Sequence, residues 1–240
     1  TPSRFIGQVG HDRLGSHLCE VLRDSGVDTQ VISDGRTGSI VVLVQPNGQR
    51  SFLTDRGVAS HLAHFDATLM NDVSILHVPT YSLTDEPLAS TCVQYINSAR
   101  ANGALISLDA SSSSVLKHYG TDRYRSLIET LKPDVFLCNE DEAAVLGVSA
   151  KQPMNGAVLT VIKQGPLPVI AVQHDGTTTE VAVTPVANIV DTTGAGDAFA
   201  AGFLPRYAQT KNIAEAITQG NALASRVLQS PGATLNSSQQ

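Results

Sequence analysis

The stretch richest in chemistry is Asp191-Thr192-Thr193-Gly194-Ala195-Gly196-Asp197-Ala198-Phe199, which follows the apolar pair Ile189-Val190 and leads into an Ala, Phe and Leu pattern of helical spacing. It reads as a loop entering a helix. Small residues at 194 to 196 let the backbone approach a ligand closely. The free N–H groups of the first helical turn, with the helix dipole behind them, favour an anion such as a phosphate. Asp197 falls in that same turn. A carboxylate beside an anion site can take the proton from a hydroxyl that attacks a phosphoryl group, so the spacing points to phosphoryl transfer. Plain turn glycines followed by an N-terminal helix Asp would specify far fewer than these nine positions.

Other residues carry chemistry with a plainer alternative beside it. Asp109 follows the apolar run Ala104 to Leu108, at the carboxyl end of a strand, where open α/β sheets place ligands; it could equally cap a loop. Arg56 follows the β-rich run Gln49 to Thr54 and could hold a carboxylate or phosphate on an acceptor; a surface pair with Asp55 or Asp66 accounts for it as well. Asn139 with Glu142 three residues on is, taken alone, an ordinary capping box. His61 and His64 stand at i and i+3 with no third ligand nearby in sequence, and read as structural surface histidines.

The segment DTTGAGDAFAAGF at residues 191 to 203 resembles the C-terminal signature of the ribokinase-like carbohydrate kinases, the PfkB family. The resemblance implies that Gly194, Ala195 and Gly196 form an anion hole for the transferring phosphoryl group and that Asp197 is the catalytic base, in contact with the acceptor hydroxyl. Asn139-Glu140-Asp141-Glu142 is similar to the family's NxxE motif, which implies Asn139 and Glu142 near the ATP phosphates, Mg²⁺ and its waters. Gly7-Gln8-Val9-Gly10-His11-Asp12 with Gly15 looks like the early GxVGxDxxG pattern, a structural turn beside the sugar site. Lys163-Gln164-Gly165 corresponds to the nucleotide-binding turn written TLGxxG, with Lys163 where Thr is common and Pro168 where the second Gly is expected. Asn221 lies where the family contacts the nucleotide, and Ser230-Pro231-Gly232-Ala233 resembles the GA turn that follows. Many members bind a monovalent cation there. K⁺ would then fall to Asp191 and the Thr193 carbonyl, with carbonyls near Val227, Ser230 and Gly232.

The elements that must position these residues read as an α/β chain. Strands are expected at Arg4 to Val9, Val27 to Ile32, Val73 to Val78, Ala104 to Leu108 and Val135 to Cys138, and near 157–163, 168–173 and 179–183. Helical spacing runs between them at Leu14 to Leu22, Leu88 to Ala99, 121–131, Asn139 to Leu146, about 195–208 and 212–228. Strands alternating with helices imply a parallel sheet covered on both faces. The family resemblance makes this a ribokinase-like three-layer α/β/α fold with a mostly parallel central sheet and a small β lid. Residues 1–36 and 55–240 would form the core and 37–54 the lid, a hairpin turning at Gln45-Pro46-Asn47-Gly48 that projects over the acceptor and pairs with a second subunit. Two departures stand out. The family's first strand, with its substrate-binding Asp, and its GGxxxN sugar loop do not precede Thr1, and Val148 to Gly156 is too short for the packed crossover helix usually found there.

Composition narrows the class. With 240 residues of which 42% are hydrophobic, the chain can bury a substantial core, and disorder is excluded. A formal charge of -6 offers no basic field for nucleic acid. Apolar runs such as Ile40 to Val44 fall far short of the roughly 20 residues that cross a bilayer. Cys19, Cys92 and Cys138 form an odd set without CxxC spacing, which suits a reduced, cytoplasmic setting. The reading is an enzyme that transfers the ATP γ-phosphoryl group, with Mg²⁺, to a primary hydroxyl of a small sugar or derivative such as a 2-keto-3-deoxy-aldonate. A nucleoside kinase on the same scaffold and a non-catalytic ligand-sensing homologue are the alternatives.

Overall fold

Strand β1 (Ser3–Val9), helix α1 (Arg13–Asp24) and strand β2 (Val27–Ser33) form a βαβ unit whose strands pair in parallel, from Ser3 opposite Val27 to Val9 opposite Ser33. The Gly7 to Gly15 segment spans the end of β1, the connection Gly10 to Asp12 and the first turn of α1. Asp12 caps the helix: its carboxylate accepts from the Gly15 N–H at 2.8 Å, the Thr37 N–H at 2.7 Å and the Thr37 hydroxyl at 2.7 Å. The Thr37 backbone donor, then that of Gly15, holds the Asp12 carboxyl down to about 2. A side chain at Gly10 would begin 2.1 Å from the Thr37 nitrogen, and one at Gly15 2.3 Å from the Gly10 carbonyl oxygen, so close backbone approach dictates both glycines. Strands β3 (Thr37–Val44) and β4 (Arg50–Gly57) follow as an antiparallel hairpin, with Thr37 opposite Gly57 and Val44 opposite Arg50.

This computed structural model describes residues 1–44 and 50–233; the expected turn at Gln45-Pro46-Asn47-Gly48 and the polar tail Asn236 to Gln240 lie outside the described residues. The chain divides into two compact units, residues 1–65 with 82–94, and residues 66–81 with 95–240.

Onward from the hairpin come β5 (Ile75–Pro79), α2 (Leu88–Ala101), β6 (Leu105–Asp109), α3 (Ser113–Tyr119), α4 (Thr121–Leu131), β7 (Val135–Asn139), α5 (Glu140–Leu146), β8 (Leu159–Gln164), β9 (Leu167–Gln173), β10 (Thr178–Val181), α6 (Ala195–Thr210) and α7 (Ile213–Val227). One six-stranded sheet runs in the order β10-β9-β8-β7-β6-β5. Strands β5 to β8 are parallel, while β9 and β10 return antiparallel. Alternate strand residues supply two cores. Leu105, Val135, Leu137, Leu159 and Val161 pack with Phe199, Phe203 and Ile217 of α6 and α7. Ile106, Leu108 and Phe136, which alternate with them, are also fully buried, and Phe136 meets Tyr124 of α4 at 6.4 Å between ring centroids. Helices therefore cover both faces, the three-layer α/β arrangement expected from the alternation.

Two local features add to the sequence reading. The serine run 111–114 leads into helix α3: the Ser112 hydroxyl accepts from the Val115 N–H at 3.5 Å and caps it. The parallel crossover from β7 to β8 is made by the seven-residue α5, which ends on Gly147 at a φ of 65°, and by a turn segment with Met154 buried. The Met154 N–H donates to the Thr160 hydroxyl at 3.0 Å, so residues 148–156 complete the crossover without a helix. Among the described residues, no helix is long and apolar enough to cross a membrane.

Because the Asp12 carboxyl sits at about 2 in the folded chain against an ordinary 3.8, its contribution to stability is complete above about pH 4 and fades as pH falls towards 2. Asp12→Asn is therefore expected to flatten stability across that acid window, as read by urea unfolding at stepped pH. An unchanged slope in the variant would contradict the cap's role.

Candidate active site

The carboxyl ends of β5 to β8 lie along one edge of the parallel sheet. In the register, Pro79 stands opposite Asp109 and Asn139 opposite Lys163. The Lys163 ammonium reaches across β7 and donates to Asp109 Oδ2 at 3.0 Å, both side chains being largely buried. Burial opposes the Lys163 charge, but the charge and hydrogen bond of Asp109, followed by the charge of Glu142, outweigh it and hold the ammonium above its ordinary range. The other Asp109 oxygen accepts from the Ser111 N–H at 2.7 Å, so this residue caps its loop as well as pairing with lysine. The buried Thr80 hydroxyl donates to the Asp109 carbonyl at 2.8 Å and lies 2.6 Å from the Tyr124 hydroxyl, tying the end of β5 to that of β6.

Beside the pair, Glu142 is buried and engaged with Asn139 in a complete reciprocal capping box. Its Oε2 accepts from the Asn139 N–H at 2.8 Å and its Oε1 from the Asn139 amide at 2.9 Å, while Asn139 Oδ1 accepts from the Glu142 N–H at 2.9 Å. Burial pushes the Glu142 carboxyl up, against the pull of the Asn139 N–H. Each carboxylate oxygen keeps acceptor capacity after one such bond. Among the described residues, no group of three or more His, Cys, Asp or Glu could enclose a metal. The oxygen donors of Asn139 and Glu142 therefore fit a hydrated Mg²⁺ held through its waters and substrate phosphates rather than an all-protein cage.

Helix α6 meets the same edge with its N-terminus. Gly194 takes a φ of 76° as the N-cap, a left-handed conformation that glycine adopts without strain. The Ala195 N–H donates to the Thr192 carbonyl at 3.3 Å, and the Ala198 N–H to the Gly194 carbonyl at 2.8 Å. Between them, the Gly196 and Asp197 N–H groups have no acceptor among the described residues. Asp197 itself is exposed. A Cβ at Gly196 would lie 3.3 Å from Lys163 Nζ, which places the ammonium against the first turn of α6.

His77 of β5 is a member that sequence reasoning missed. Its ring lies in the field of Asp109, Lys163 and Asp197, and its Nδ1 is 3.1 Å from the Ser107 hydroxyl. A lone histidine in a short apolar strand gives no signal beyond its place two residues before the carboxyl end.

The remaining expected residues fall elsewhere. Asn221 lines a cavity of about 500 Å³ between the 182–188 segment and α7, and its buried amide nitrogen has no hydrogen-bond partner among the described residues. Asp191 accepts from the Thr193 N–H at 2.8 Å, the Thr193 hydroxyl at 2.7 Å and the Gly232 N–H at 3.1 Å, which joins the signature loop to the Ser230 to Ala233 turn. Gly165 has a φ of 58° in the β8–β9 turn, and Gln164 donates to the Pro168 carbonyl at 2.9 Å, closing that turn without the second glycine. Arg56 belongs to the first unit, where it pairs with Asp85, while Asp55 pairs with Arg36.

A family profile described as pfkB family carbohydrate kinase matches residues 1–240. The chain belongs to that family. An uncharacterized sugar kinase of Archaeoglobus fulgidus is 28% identical over 243 residues, covering 95% of this chain and 92% of that protein. Among solved structures, the adenosine kinase from Sinorhizobium meliloti superposes with a TM-score of 0.86 at 23% identity, covering 98% of this chain and 75% of the other. A fructokinase from Xylella fastidiosa with bound ATP gives a TM-score of 0.82 at 24% identity, over 96% of this chain and 80% of the other. Both share the fold. As a member of the pfkB family, the chain is a kinase of the sugar and nucleoside type.

Removing one partner of a buried ion pair leaves the other charge uncompensated. Asp109→Ala is expected to lower the unfolding free energy by about 3 kcal/mol in urea titrations. A loss below about 1 kcal/mol would show that the ammonium finds solvent or another partner at little cost.

Proposed function

We propose that this pfkB-family kinase transfers the γ-phosphoryl group of ATP to a primary hydroxyl of a small sugar or sugar derivative. One observation carries the reading: an exposed carboxylate, Asp197, stands at a helix N-terminus whose Gly196 and Asp197 amides have no acceptor among the described residues. The acceptor hydroxyl attacks the γ-phosphorus in line, Asp197 takes its proton, and the bond from phosphorus to the bridging oxygen of ADP breaks. The Gly196 and Asp197 amides stabilise the phosphoryl oxygens as charge gathers on them, whereas the Ala195 amide of the expected 194–196 hole is taken by the Thr192 carbonyl. Mg²⁺, when bound, supplies neutralisation of the phosphate charge, with Asn139 and Glu142 holding its waters. Asn221 offers a donor to the nucleotide at the cavity wall, and the Lys163 to Gly165 turn approaches the nucleotide. Asp191 and the Thr193 carbonyl are assigned to K⁺.

On the acceptor side, Arg56 and Asp109 are the residues assigned to sugar binding, and Arg56 would favour an acidic sugar such as a 2-keto-3-deoxy-aldonate. The hairpin is assigned to a lid and homodimer contact. Its Ile40, Val41 and Leu53 are 59%, 55% and 61% exposed, apolar surface that a second subunit would cover. Three buried free cysteines support a reducing, cytoplasmic setting.

The test is coupled ADP production with ribose, fructose, 2-keto-3-deoxygluconate and adenosine as acceptors. A sugar is expected to drive turnover, and Asp197→Asn to cut kcat at least about a hundredfold with the KM for ATP nearly unchanged. Near-wild-type turnover in that variant would overturn the role of Asp197. Preference for adenosine would move the chain to the nucleoside kinases, and nucleotide binding without acceptor-dependent ADP release would mark a ligand-sensing homologue.

A further inference from the structure

Lys163 is seated where a nucleotide turn alone does not require a charge. Its Nζ is 3.0 Å from Asp109 Oδ2 and 3.3 Å from the point where a Cβ on Gly196 would begin. The missing side chain at 196 thus leaves room for the ammonium beside the unpaired amides of α6. An ammonium has three N–H donors, and the described hydrogen bonds give Asp109 as its acceptor. The surrounding charge is lopsided. Asp109 and Glu142 act on Lys163, and Asp109, Lys163 and Asp197 act together on His77, so three carboxylates share this edge with one lysine. A nucleotide triphosphate entering here would meet a surplus of negative charge, and Lys163 is the fixed cation placed to offset it.

Resting on the kinase reading above, we propose that the Lys163 ammonium contacts the phosphoryl group while it is transferred, completing the anion hole of the Gly196 and Asp197 amides, and that Asp109 is a positioning residue that aims it. In the step, a bond forms from the acceptor oxygen to phosphorus as the bond from phosphorus to ADP breaks. The hydroxyl proton passes to Asp197, and Lys163 keeps all its protons throughout. Its ammonium, held above its ordinary range by Asp109, is suited to stabilise charge and unsuited to act as an acid. The interaction grows as charge moves onto the transferring oxygens, so it lowers the barrier more than it tightens the bound nucleotide.

The experiment compares binding of Mg-ADP alone with binding of Mg-ADP plus aluminium fluoride, a mimic of the phosphoryl group in flight, by calorimetry on the full chain with the acceptor identified above. In Lys163→Met, ADP affinity should stay within about threefold, while the extra affinity conferred by aluminium fluoride and kcat should each fall about a hundredfold, the scale of losing one such donor. Lys163→Arg should restore part of both, and Asp109→Asn should reduce the fluoride advantage without weakening ADP. As a check that needs no variant, the Lys163 Nζ resonance of the ¹⁵N-labelled wild type should shift with ADP and aluminium fluoride and stay in place with ADP. Equal losses for ADP and for the fluoride complex would overturn the proposal in favour of a ground-state nucleotide contact. An unchanged fluoride advantage, or an unmoved resonance, would overturn it in favour of a purely structural ion pair. A wild type that binds no ADP would instead overturn the kinase reading, a separate result.

Discussion

A lysine ammonium withdrawn from water must find a counter-charge, and in this chain that requirement organises the carboxyl edge of the central sheet. Lys163 leaves β8 and crosses over β7 to reach Asp109 at the end of β6. Two non-adjacent strands are thereby clamped, and the ammonium is set against the first turn of α6. Asp109 can serve only because its own loop is fixed, by its bond to the Ser111 N–H and by the Thr80 hydroxyl on its carbonyl. Had the same pair been exposed, it would be worth little; burial makes its geometry consequential.

Around this pair, backbone groups do most of the remaining work. The Asn139 and Glu142 box satisfies the start of α5 while holding a buried carboxylate beside the lysine. Gly194 opens α6 in a left-handed turn, and the Gly196 and Asp197 amides have no acceptor among the described residues. Positive charge, amide donors and carboxylates are thus brought together from the strand ends and the starts of α5 and α6, the usual place for a ligand in an open α/β sheet. The Asp12 cap with its two close-packed glycines belongs to the first unit, where it fixes the entry to α1 and the start of β3.

Much of this was legible in the residues. Periodicity places α4 at 121–131, as found, and the parallel strands to within a residue or two, because buried strands are written in short apolar runs bounded by turn residues. The 191–203 signature marks the start of α6 because glycine and small residues are required for the turn itself. What escaped is non-local or disguised. Helix α3 hides behind four serines, which favour caps as much as loops. The bond between Asp109 and Lys163 joins residues 54 apart, and no local pattern announces it. Arg56 finds Asp85, 29 residues away, for the same reason. His77 carries no signal because its importance comes from the strands that surround it.

On the proposed reading, phosphate passes directly from nucleotide to acceptor at this edge, with protein groups that bind and orient but never carry it. The stereochemical course at phosphorus tests this most directly, using ATP made chiral at the γ-position with oxygen isotopes and an acceptor that supports turnover. A single in-line displacement predicts inversion of configuration at phosphorus in the phosphorylated product. Retention would require two displacements through a phosphorylated side chain, and would exclude direct transfer.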